Sequence, residues 1–89
     1  MQWVIDVSYN SKQYLLKADL EYKDDQIVKI RVHGMTGSVL LETEYNRFYE
    51  GKLSWKFLEG GMKNYGHDTV RLQFDIIACL EYYVINDLK

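Results

Sequence analysis

The sequence predicts an α+β fold: an antiparallel five-stranded β-meander, its sheet curved, with one C-terminal α-helix packed across the apolar face. Three observations carry this. Apolar and charged residues alternate with a period of two through the first part of the chain, turn formers separate the alternating runs, and one long helical segment comes last.

Residues 2–9 place Trp3, Ile5, Val7 and Tyr9 on one face and Asp6 and Ser8 on the other, and "YNSKQY" supplies a turn. In 13–23, Tyr14, Leu16, Ala18, Leu20 and Tyr22 share a face, with Lys17, Asp19, Glu21 and Lys23 opposite. "DDQ" turns the chain into 27–33, where Val28, Ile30 and Val32 alternate with Lys29, Arg31 and His33. Keeping both apolar faces together requires an odd loop. A three-residue "DDQ" loop then sets Glu21 opposite Lys29 and Asp19 opposite Arg31, each pair contributing roughly 0.2–1 kcal/mol.

"GMTG" leads into 38–45, where Val39, Leu41 and Thr43 oppose Leu40, Glu42 and Glu44. A two-residue T-G turn would face Arg31 with Glu42; a four-residue loop shifts that pairing by two, and the sequence leaves both open. "NRFYEGK" reads as a longer connection to 52–58, whose apolar face holds Leu53, Trp55 and Phe57. "EGGMKNYG" then breaks the pattern. Neither proline, nor linker, nor internal repeat divides the chain, so 1–89 is read as one domain.

The helix is expected over about 69–87, with Asp68 as its N-cap. At about 100° per residue, Arg71, Asp75, Tyr82 and Asn86 fall on one side. Ile77, Leu80 and Val84 lie opposite, facing the sheet. One flank holds Val70, Phe74, Ala78, Ile85 and Leu88; the other holds Leu72, Ile76, Cys79 and Tyr83 at i, i+4, i+7 and i+11. A helix lying on a sheet needs an apolar stripe of about 100° or somewhat more, and this one is apolar well beyond that. Either a strongly curled sheet wraps it, or one flank meets another chain, most simply the same helix of a second copy. Leu72, Ile76, Cys79 and Tyr83 are the candidate interface.

The chemistry is sparse. A net charge of -2 with both signs interspersed leaves no footprint for nucleic acid or an anionic membrane. The single Cys79 rules out an internal disulfide and a cysteine zinc site and suits a reducing compartment; with no signal peptide or membrane span in view, the cytoplasm is the expected location. His33 and His67 have no second ligand at i+2 to i+4, so no metal or other cofactor is expected. "EGGMKNYGHD" precedes a helix but lacks phosphate-loop spacing. Cys79 is read as a packing residue.

Two further candidates remain. Tyr45, Phe48 and Tyr49 gather around Arg47, a composition common on recognition surfaces, although Phe48 and one tyrosine would also serve to plug a small core. Glu81 sits among Phe74, Ile77, Ile85 and Leu88; it reads as a rim glutamate reaching water or Arg47, with an interfacial hydrogen bond or a functional acid as alternatives. No residue is assigned a catalytic role. The expected function is a small non-enzymatic protein-interaction module, self-associating or binding another protein through a helix flank, the Tyr45–Tyr49 segment, or both. A single-stranded nucleic-acid-binding domain is the second reading, which the acidic balance opposes; a small enzyme or ligand-binding domain using Glu81 is the third.

Overall fold

The structure, a computed structural model, describes residues 1–9, 11–34, 37–59 and 67–88. The strands β1 (Gln2–Tyr9), β2 (Lys12–Lys23), β3 (Ile27–His33), β4 (Ser38–Tyr49) and β5 (Lys52–Glu59) pair antiparallel in chain order. The sheet curls into a half-barrel, and the helix α1 (His67–Asp87) packs on it, giving the α+β meander that the alternation predicts. Trp3, Ile5 and Val7 of β1, Ala18 of β2, Val28, Ile30 and Val32 of β3, and Val39 and Leu41 of β4 line the concave face and are buried. Ile76, Leu80 and Val84 of α1 complete this core.

The β2–β3 hairpin departs from the expected register. Asp19 does face Arg31, but Tyr22, not Glu21, faces Lys29, because a bulge at Glu21 shifts the pairing. The cause lies in the turn. Asp24 Oδ1 accepts hydrogen bonds from the Gln26 and Ile27 amides, both at 2.7 Å, and Asp24 N donates to the Ile27 carbonyl at 3.0 Å. These bonds hold the Asp24 carboxyl below its ordinary pKa, with Tyr22 adding a third. They also close an even turn, which on its own would bring apolar residues opposite charged ones; the extra residue of the bulge restores the match. Tyr22 is turned out of the core, where Lys29 lies over its ring, and Glu21 pairs with Arg31 instead of Lys29.

Between β3 and β4 the four-residue connection is the one used, so Lys29 faces Glu42 and Arg31 faces Leu40. β4 runs further than expected. The segment "NRFYEGK" is not a long connection: β4 continues to Tyr49, and Glu50 and Gly51 alone turn the chain, with φ of 52° and 78°. Two successive positive φ values are what a tight hairpin needs, and glycine adopts the second without cost. The added length is uneven, because three more residues of β4 than of β5 lie between the pairs Thr43–Trp55 and Phe48–Leu53. Within that stretch Tyr45 turns inward, and its hydroxyl donates to the Asp24 carbonyl, fastening the β2–β3 turn.

α1 begins at His67, two residues before the expected start; the side chain of Asp68 lies outside those described. The helix is rolled toward β1 relative to the expected orientation. Ile76, Leu80 and Val84 are fully buried beneath it, and Ile77 is only half-buried.

Candidate interaction surfaces

The flank offered to a second chain, Leu72, Ile76, Cys79 and Tyr83, is the one β1 covers. Ile76 is fully buried, and the other three are half-buried against the core. Two of them, Cys79 and Tyr83, belong to a row of side chains spaced by four along the helix, and each member bonds to β1. Asp75 Oδ2 accepts from the Ser8 amide at 3.5 Å, Cys79 Sγ donates to the Asp6 carbonyl at 3.6 Å, and the Tyr83 hydroxyl donates to the Val4 carbonyl at 2.9 Å. At the far end, Trp3 Nε1 donates to Asp87 Oδ2 at 2.9 Å, and the Trp3 ring stacks on Tyr83 with centroids 5.6 Å apart.

The match is geometric. Four helical residues advance about 6.0 Å and two strand residues about 6.8 Å, so an antiparallel helix meets every second residue of the strand. Those are the residues whose backbone groups point away from β2. Burial pushes the Cys79 thiol above its ordinary pKa, which suits a thiol acting as donor inside this seam.

Glu81 serves the opposite edge. Its Oε1 accepts the Leu53 amide of β5 at 2.7 Å, while Arg47 pairs with Glu44 at 3.4 Å and not with Glu81. The glutamate is half-buried and its contact is structural: a backbone N–H of an edge strand receives an acceptor.

With β1 on one flank and Glu81 reaching β5 on the other, the back of α1 carries Phe74, Ala78 and Tyr82. Phe74 is 68% exposed and Tyr82 64%, with exposed Ala78 between them at i+4. The edge of Tyr82 rests on Tyr83, centroids 5.7 Å apart, so its ring is held in place by the seam. Tyr82 keeps the outward place that the helical wheel gives it among the polar residues, whereas the exposure of Phe74 follows from the roll of the helix toward β1.

The Tyr45–Tyr49 segment divides. Tyr45 is a buried plug with Lys23 over its ring at 5.1 Å, whereas Arg47, Phe48 and Tyr49 are exposed near the hairpin end. Arg47 lies 5.6 Å from the Tyr49 ring centroid. Below them an open cleft of about 220 Å³ runs between Glu42, Glu44, Arg47, Tyr49, Ser54 and Lys56. Two carboxylates and two cations line it, so it selects no single charge.

Elsewhere, His33 Nε2 and Asp19 Oδ2 lie 2.7 Å apart, and Gln2 Nε2 donates to Asp19 at 2.7 Å. These two bonds, Gln2 first, hold the Asp19 carboxyl below its ordinary pKa. Among the described residues no group of three or more His, Cys, Asp and Glu side chains is placed to hold a metal ion. No described helix is long and apolar enough to cross a membrane. The side chain of His67 and residues 60–66 of the "EGGMKNYG" segment lie outside what the structure describes. Comparison with protein-family models, with curated proteins and with solved structures finds no match for this chain.

Proposed function

We propose that this protein is a small non-enzymatic interaction module that self-associates weakly through the back of α1. One observation carries the reading: Phe74 and Tyr82 stand in solvent on either side of Ala78, one helical row long. Two large aromatics exposed in one row of a helix face mark an interaction surface. The order aromatic, small, aromatic is also self-complementary. A two-fold axis at Ala78 brings two such helices close and sets each phenylalanine against the tyrosine of the other copy.

The energetics favour a modest affinity. Burying four such side chains, two from each copy, is worth at most roughly 6–12 kcal/mol, against an association cost of about 4–15 kcal/mol. The dimer is therefore a high-concentration species unless neighbouring contacts add to it. A reducing, cytoplasmic setting suits the lone thiol of Cys79.

Sedimentation equilibrium over a micromolar-to-millimolar range tests this. The wild type is expected to shift from monomer toward dimer, and Phe74→Asp to stay a folded monomer with an unchanged circular dichroism spectrum. A wild type that remains monomeric at millimolar concentration, or a Phe74→Asp protein that associates as before, would sink the reading.

A further inference from the structure

β5 is an edge strand whose outward backbone is met, among the described residues, at one position. Its Leu53 N–H points away from β4, into the Glu81 carboxylate. Alternation along an antiparallel strand turns the backbone groups of Trp55 and Phe57 the same way. Among the described residues no hydrogen-bond partner reaches them.

The side chains beside this open stretch differ by face. On the concave side Trp55 and Phe57 are half-buried, and the buried Trp55 Nε1 has no hydrogen-bond partner among the described residues. On the convex side Lys52 and Lys56 are exposed, and neither forms an ion pair among the described residues. Glu42, which faces Lys56 across the ladder, reaches instead toward Lys29 at 4.0 Å.

We propose that the Trp55–Phe57 edge binds an extended segment of another protein as an added strand, and that this segment alternates apolar and acidic residues. Its backbone would complete the outward hydrogen bonds of Trp55 and Phe57, the mode by which open sheet edges take up peptides. Apolar side chains on one face would extend the wall formed by Trp55 and Phe57. Carboxylates on the other would meet Lys52 and Lys56. A second copy of β5 fits less well, because it would bring two more lysines to a face that already carries two unpaired ones. The site lies apart from the back of α1 and does not depend on self-association.

The test uses the full chain carrying Phe74→Asp, which takes the helix-mediated dimer out of the measurement. A fluorescein-labelled peptide of alternating valine and glutamate is titrated in, beside a matched valine–lysine peptide, with amide hydrogen exchange followed at Trp55 and Phe57. The valine–glutamate peptide should bind, more weakly as salt rises, and slow exchange at both amides. The Lys52→Glu, Lys56→Glu double variant should bind it about tenfold less tightly. Equal binding of the two peptides, or no binding, overturns the proposal. So does protection of both amides in the free monomer, which would mean the chain covers this edge itself. Protection that grows with protein concentration would assign the edge to a second copy and reject the acidic partner.

Discussion

β1 and β5 are both edge strands of one sheet, yet α1 seals the first from Asp75 to Asp87 and, among the described residues, hydrogen-bonds to the second through a single carboxylate. An uncovered edge presents a row of unpaired backbone groups to other chains. At β1 the protein answers with side chains: a carboxylate, a thiol and a phenol take the places a neighbouring strand would fill. At β5 the same device operates at Leu53 alone. Among the described residues one strand is thereby withdrawn from pairing and the other is met only at Leu53, and the distinction is made by the roll of one helix. The seal also joins the first and last described elements of the chain, so the half-barrel is finished only when its last element docks on its first.

Variants can break or sharpen this contrast. The largest effect is expected from Trp3→Ala, which removes the ring stacked on Tyr83 and the bond to Asp87; denaturant unfolding should register a loss of about 3–5 kcal/mol. If the loss falls well below that, the β1 seam is not the principal attachment of the helix. Glu81→Ala leaves the Leu53 amide without its acceptor and should cost about 1–3 kcal/mol, with Glu81→Gln recovering part of it. A cost as large as that of Trp3→Ala would reverse the ranking of the two edges. The smallest effect belongs to Tyr83→Phe, which deletes one hydrogen bond and keeps the stack, for about 0.5–1.5 kcal/mol. Unchanged stability there would assign the work of the seam to packing alone.

Much of the fold was legible in the sequence because one physical rule governs it. Val28, Ile30 and Val32 alternate with charges, and only a strand with one buried face explains that. What escaped was where the rule is met by a local exception. The parity that favours an odd turn after Lys23 is equally satisfied by an even turn and a bulge, and the Asp24 carboxylate decides between them. In the Tyr45–Tyr49 stretch the alternation fails, since one tyrosine turns in and another out across the uneven part of β4, so the strand reads as loop.

The helix hid its orientation for a different reason. A segment apolar on most sides carries little information about its roll. Asp75 reads as solvent-facing, yet with Cys79, Tyr83 and Asp87 it forms one row at spacing four, every member of which can donate or accept. That spacing was the available signal for an edge seal. Without it, nothing in the wheel says which flank the sheet covers, and the candidate interface Leu72, Ile76, Cys79 and Tyr83 falls on the covered one, while the exposed Phe74 lies on the other.

The row from Asp75 to Asp87 behaves as a vernier, two rulers with slightly different graduations. Each pairing step leaves helix and strand about 0.8 Å further out of phase, so the two steps from Ser8 to Val4 accumulate about 1.6 Å, and the last bond of the row leaves the backbone for the Trp3 side chain. That exceeds the tolerance of a hydrogen bond, and only differences in side-chain reach can absorb it. The amide end of the row is already slack, at 3.5 Å between Ser8 and Asp75. An eight-residue β1 is therefore close to the longest edge one straight helix can close in this way. A longer first strand would run past the last coinciding mark and offer its surplus backbone to whatever chain came by.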